Sequence, residues 1–202
     1  MHKSSFEKML VFREKYLKGK ENNPLRILDL GSLDINGSYR ECFNAFSWTY
    51  QGIDTAPGKN VDIVLRNPYR WREIQSNSAD VLISGQAFEH IEFFWITMLE
   101  IARVLKPCGI CCIIAPSGGF EHRYPLDCWR FYPDGFSALA RFARLDVLEV
   151  STQWEDDPRY TDDSNTWHDT LLVCKKAPLS RFDAWRENIR RGLMLRILNW
   201  NI

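Results

Sequence analysis

Five short apolar runs, LRILDL, WTYQGID, VDIVL, ADVLIS and GICCIIA, recur through the first 115 residues with polar or helix-forming segments between them. This alternation constrains the fold most. Strands separated by crossovers lie parallel, and a parallel sheet needs helices on both faces. GICCIIA is almost continuously apolar, as a strand covered on both sides requires. Before it runs EFFWITMLEIARVL, a long helix with a broad apolar face, closed by Lys106, Pro107 and Gly109. A leading helix is expected from the capping-box spacing of Ser4 and Glu7, with Phe6, Met9, Leu10, Tyr16 and Leu17 on one face before Gly19. Further helices are expected from about Tyr39, in PYRWREI and near DGFSALARFA, and two last strands in LDVLEVSTQW and DTLLVCKK. The fold class is therefore α/β, Rossmann-like and mainly parallel.

A chain of 202 residues fits one domain and buries roughly 70% of its unfolded surface, enough for a core without metal or disulfide. Three segments are expected: an N-terminal helix over 1–20, the sheet domain over 21–177 and a C-terminal amphipathic helix over 178–202. Lysine plus arginine (26) equals aspartate plus glutamate (26), so the footprint of a general nucleic-acid binder is missing and no nucleic-acid partner is expected. The N-terminus lacks a signal-type apolar core and no run is long enough to span a bilayer, so the expectation is a cytoplasmic protein. Cys108 and Cys111 form a C-x-x-C string, but there is no second pair and no histidine at ligand spacing. Cys111 and Cys112 are strand neighbours pointing to opposite faces, so the cysteines read as structural.

The sharpest local signal is ILDLGSLDINGS at 27–38, a strand that runs into a glycine turn. Gly31 lets the backbone turn sharply and approach a ligand closely. Asp54 ends the second strand 23 residues later (54 − 31), where a carboxylate can accept from both hydroxyls of an adenosine ribose. A dinucleotide pyrophosphate wants several close glycines and a bare helix N-terminus. Here Ser32, Leu33 and Asp34 follow the first glycine, and Asp29 and Asp34 add negative charge. Those carboxylates suit the cationic ammonium and sulfonium of S-adenosylmethionine (SAM) better than NAD.

Between Pro24 and Lys176 the chain resembles the class I SAM-dependent methyltransferases, in particular the broad type 11 group. ILDLG is similar to that family's first motif, GID to its ribose-binding acid, and ADVLISGQAFEHI to its fourth strand and following loop. EIARVLKPCGI is similar to its helix, turn and fifth strand. The resemblance implies a seven-stranded sheet with helices on both faces and an antiparallel last strand. It implies SAM as cofactor, with Asp29, Gly31, Ser32 and Leu33 at the methionyl part and Asp54 and Thr55 at the ribose. Gly85, Gln86 and Ala87 would lie beneath the sulfonium and its methyl. Leu33 stands where relatives carry a second glycine. Arg66 and Asn67 stand where relatives carry an adenine-binding acid, with Asn67 as its substitute.

Methyl transfer is an in-line displacement, so alignment is the main task, and a hydroxyl acceptor also needs a base. His90 follows the fourth strand, and His122 and Asp127 lie in the loop after the fifth; these three are the candidate catalytic residues. His168, at the start of the last strand, is a weaker candidate. In FEHRYPLDCWRFYP, Arg123, Tyr124, Trp129, Arg130 and Tyr132 suit a substrate lid, with aromatic faces for ring stacking and arginines for phosphate or carboxylate. The acceptor is expected to be a small hydroxyl-bearing molecule such as a sugar. The acids Glu155, Asp156, Asp157, Asp162, Asp163 and Asp169 read as a solvated run, and no metal site is expected. Phe182, Trp185, Ile189, Leu193 and Ile197 make a helical stripe among Arg181, Arg186, Arg190, Arg191 and Arg196. That helix docks on its own domain, on a second copy in a homodimer, or on an anionic membrane surface. Two competing readings are a SAM- or nucleoside-binding module without turnover and an NAD-dependent oxidoreductase.

Overall fold

The computed structural model describes residues 2–178 and 180–198, without the side chains of Arg181 and Leu198. Its strands are β1 (Arg26–Leu30), β2 (Thr49–Asp54), β3 (Ile63–Val64), β4 (Ala79–Gly85), β5 (Leu105–Ala115), β6 (Leu145–Thr152) and β7 (Thr170–Lys176). They form one sheet in the order β3-β2-β1-β4-β5-β7-β6. The first five pair in parallel, and β7 runs antiparallel between β5 and β6. This is the expected Rossmann-like sheet with its last strand antiparallel. Strand order reverses between β1 and β4, so a crevice for ligands belongs beyond their carboxyl ends.

Period-two alternation divides the core. Leu28, Leu82, Cys111, Ile113 and Leu172 face one layer, while Ile27, Val81, Ile83, Cys112 and Ile114 face the other. Cys111 and Cys112 thus point to opposite faces, and all six cysteines are unpaired. The first layer is completed by helices α2 (Phe94–Val104) and α3 (Pro133–Phe142). The second is covered by α1 (Lys3–Tyr16) and a single 3-10 turn, Arg40–Phe43.

That turn corrects the helix expected from Tyr39. Met9 and Phe12 of α1 fill the face where a crossover helix would lie, and Tyr39, Phe43 and Trp48 bury against them. PYRWREI is also not helical. Trp71 donates its backbone N–H to Glu100 and its indole N–H to the Pro68 carbonyl, so burial of Trp71 and Ile74 in turns replaces helix hydrogen bonds. Ser4 does not cap α1: it lies within the helix, its N–H donates to Ser164 Oγ and its hydroxyl donates to Asp169. Ser164 opens the short helix α4 (Ser164–Trp167).

The tail forms α5 (Arg181–Leu198), and the positions of the expected 178–202 segment at 179 and 199–202 lie outside the described residues. It packs on the domain, but not through the expected stripe. Arg191 binds Glu100, Arg190 donates to the Phe142 carbonyl, Glu187 pairs with Arg144, and Leu195 enters the core. Phe182, Trp185, Ile189, Leu193 and Ile197 face outward, between 43% and 66% exposed. Glu100 decides the orientation, because its buried carboxylate needs cations and takes both Arg103 and Arg191.

Candidate active site

Leu28 and Leu30 anchor β1 in the core, and the chain then turns at Gly31 with φ +77°. A side chain there would collide with the Cβ of Ala87, so the close approach of the two carboxyl ends requires glycine. Gly31 and Ser32 donate their N–H groups to the Ile53 carbonyl, and Leu33 donates to Asp54 Oδ2 at 3.1 Å. Ala56 donates to the other oxygen, Oδ1, at 3.1 Å. Asp54 is half-buried at the end of β2 and faces the Gly31–Leu33 turn; Thr55 beside it is exposed. Leu33 fills the space beside Gly58, and Asn60 holds the Ser32 carbonyl, so loop-to-loop packing replaces the missing second glycine.

Asp29 lies buried beneath the turn and accepts from the Tyr50 hydroxyl. Burial pushes its carboxyl up to about 7 despite that hydrogen bond. Asn67 folds its own loop, accepting from the Tyr69 N–H at 2.8 Å.

Three positions expected beneath the sulfonium are differently engaged. The space beside Gly85 belongs to the buried Tyr39, whose hydroxyl meets Ser5 Oγ at 2.6 Å. Gln86, with φ +58°, donates from Nε2 to Asp169 Oδ1 at 2.9 Å and toward Ser5 Oγ at 3.3 Å. Only Ala87 rests on Gly31. Asp169 is not part of a solvated acidic run. It is fully buried and also takes His2 Nε2 at 2.7 Å and Ser4 Oγ at 3.1 Å. Burial opposes its ionisation, but the hydrogen bonds of His2 and Gln86 outweigh that and hold it below the usual carboxylate range.

Past β4, a 3-10 turn over Phe88–His90 points into the loop after β5. His90 and His122 meet there with ring centroids 5.0 Å apart. Nδ1 of His90 is engaged with the Leu126 carbonyl, and Nε2 lies 3.6 Å from Glu89 Oε1. His122 also lies against Trp167, its centroid 4.5 Å away. Burial and the neighbouring His90 lower its pKa, which favours the neutral imidazole at pH 7. Glu89, unsuspected from sequence, is fully buried and pushed up to about 8 by burial. The E-H dipeptide was the available signal, but nothing local told which way the glutamate points.

Asp127 does not have the chemistry of a base. Arg130 grips both its oxygens at 2.6 and 2.9 Å, and this pair, with the His122 N–H, holds its carboxyl at about 2. Arg130 also donates to the Phe120 carbonyl, so it braces the loop instead of reaching outward. Trp129 is tied by its indole N–H to Ile91 and Glu92. Arg123, Tyr124 and Tyr132 are exposed, Arg123 pairing with Glu121 and Tyr132 stacking on Trp154. His168, held by the Gln153 carbonyl, stands apart beside Gly118. Cavities of about 150 and 200 Å³ lie at the other end of the sheet, around Arg103 and Arg191 beneath α5. That is the amino edge of the parallel strands, away from the crevice such sheets use.

Residues 28–113 match the family model described as Methyltransferase domain. A search of curated protein sequences gives no match. Solved structures of similar fold include a putative sarcosine dimethylglycine methyltransferase from Galdieria sulphuraria, 17% identical with TM-score 0.62 and 85% of each chain covered. Another is 1,6-didemethyltoxoflavin-N1-methyltransferase from Burkholderia thailandensis with bound 1,6-didemethyltoxoflavin and S-adenosylhomocysteine. It is 13% identical, with TM-score 0.65, and covers 87% of this chain and 79% of its own. A third is a SAM dependent methyltransferase from Archaeoglobus fulgidus, 13% identical with TM-score 0.62, covering 85% of this chain and 95% of its own. Residues 28–113 thus match a methyltransferase-domain model, in a chain whose seven-stranded sheet has the fold of these SAM-dependent methyltransferase structures.

Proposed function

We propose that the chain transfers the methyl group of SAM to an oxygen of a small-molecule acceptor, with nitrogen as the second choice and a sugar hydroxyl as the favoured class. Domain 21–177 carries the reaction, in a cytoplasmic setting suited to unpaired cysteines. The observation that supports transfer most is the meeting of His90 and His122 at the carboxyl edge beyond β4. Two imidazoles there are placed to take a proton from an acceptor aligned with the methyl. Oxygen ranks first because a hydroxyl needs that base; the N1-methyltransferase among the similar structures keeps nitrogen in view. The aromatic loop around Tyr124 and Trp129 supplies faces for a ring-shaped acceptor.

The test combines calorimetry with S-adenosylhomocysteine and a labelled-methyl screen of sugars, nucleotide sugars and amines. His90→Ala and His122→Ala are expected to lower turnover by about 10²–10⁴-fold without weakening S-adenosylhomocysteine. The packing of Leu33 on Gly58 favours one second reading, a SAM-binding module without turnover. Cofactor binding with no labelled product from any acceptor would select it. The NAD reading loses its footing, since the turn after β1 leads to a 3-10 turn and not to a regular helix N-terminus.

We also infer that the outward face of α5 meets an anionic lipid surface. Its apolar stripe is flanked by exposed Arg186 and Arg196, while Glu187 pairs with Arg144 of the domain and Asp183 accepts from the Ser180 hydroxyl. Two copies meeting through this face would bring arginine against arginine, whereas anionic headgroups complement it. Co-sedimentation of the full chain with phosphatidylserine-containing vesicles, reduced by Trp185→Glu and absent with neutral vesicles, is expected. A dimer that dissociates on Trp185→Glu, without vesicle binding, overturns this.

A further inference from the structure

Glu89 presents a problem that the methyl-transfer chemistry leaves unexplained. Its side chain is fully buried in the turn just past the carboxyl end of β4, yet neither carboxylate oxygen has a hydrogen-bond partner. A buried acid without partners is expensive to keep, and a sequence retains one most readily where something else completes it. The group is also held firmly. Its backbone carbonyl accepts the N–H of Cys128 at 2.7 Å and of Trp129 at 3.2 Å, which fastens the turn after β4 to the loop bearing His122. His90 is oriented by the Leu126 carbonyl at Nδ1, so the proton belongs on Nδ1 and the lone pair on Nε2, toward Glu89.

We propose that Glu89, His90 and His122 together bind a divalent transition-metal ion. One donor atom from each lies within 4.8 Å of the other two, a spread that modest side-chain rotation can contract around an ion. Two imidazoles and one carboxylate select zinc, cobalt, manganese or iron over calcium and magnesium, which prefer all-oxygen sites. Three protein ligands leave coordination positions for a further oxygen. Binding of the ion is independent of the methyl-transfer reading; its use in catalysis rests on that reading and makes the two imidazoles ligands in place of bases, so that water takes the acceptor's proton. An acceptor hydroxyl on the ion releases its proton to water more easily, and its oxygen then forms the bond to the methyl carbon. The carbon–sulfur bond breaks with its electron pair going to sulfur, leaving S-adenosylhomocysteine.

The full chain, stripped with chelator and dialysed, is titrated with Zn²⁺ and Co²⁺ by calorimetry, with Co²⁺ absorption as a second readout. One ion per chain is expected, with affinity falling at least about 100-fold in Glu89→Gln and in His122→Ala, the scale of losing a ligand. S-adenosylhomocysteine affinity should stay within about twofold, and a loss there would count against cofactor binding, not against the ion site. The thermal midpoint of ion-free Glu89→Gln should stay at the wild-type value, because the amide replaces a carboxyl that makes no hydrogen bond; a purely structural carboxyl would show a fall. No stoichiometric ion in the wild type, or unchanged affinity in both variants, overturns the site. Full methyl transfer by the stripped protein overturns the catalytic use.

Discussion

Gln86 and Asp169 are joined across the carboxyl edge of the sheet, the amide Nε2 donating to Oδ1 at 2.9 Å. The bond links the end of β4 to the start of β7 and, through His2 and Ser4 on the same carboxylate, fastens the N-terminus of α1 to both.

Asp169→Asn should destabilise the fold by about 3 kcal/mol, since several buried donors lose a charged acceptor. The folded carboxyl lies below its unfolded value of 3.8, so the stabilisation is present above that pH and is lost as pH falls through the folded value. Urea titrations should therefore show a constant gap between wild type and variant at neutral pH, narrowing in acid.

Asp29 has the opposite sign. Its carboxyl rises from 3.8 unfolded to about 7 folded. Stability from this group is complete below pH 3.8 and drains away up to about 7, then stays flat, a change of about 4 kcal/mol. Asp29→Asn should remove this slope. The difference between wild-type and variant unfolding free energies from pH 4 to 8 isolates it from other carboxyls.

Asp54→Ala should weaken S-adenosylhomocysteine by about 10–100-fold, the worth of one or two hydrogen bonds to a charged acceptor. The sheet register should survive, because Asp54 is half-buried and its partners are the loop N–H groups of Leu33 and Ala56. Calorimetry and far-UV circular dichroism check the two halves. An unchanged affinity would remove the ribose role.

Gly31→Ala should lower stability by about 2 kcal/mol or more, because φ is +77° and the new methyl would strike Ala87. Gly135→Ala offers the contrast: it lies in α3 with open space around it, and should gain about 0.5–1 kcal/mol. Thermal melts of the pair measure both.

The sequence by itself determined the sheet. Apolar runs such as GICCIIA and ADVLIS carry their burial in their own pattern, and Cys111 and Cys112 could be assigned to opposite faces from period two alone. It also placed Gly31 and Asp54 at adjacent strand ends, because a turn and its strand are local features. Tertiary structure decided what local pattern does not contain. Whether residues after Tyr39 form a helix depended on α1 already occupying that face. Which side of α5 turns inward depended on Glu100, far away in sequence, needing the cation of Arg191. Glu89 became notable only when folding buried it beside His90 and His122 without a hydrogen-bond partner. Burial and charge pairing between distant segments are properties of the packed whole, so a linear pattern carries the elements but not their partners.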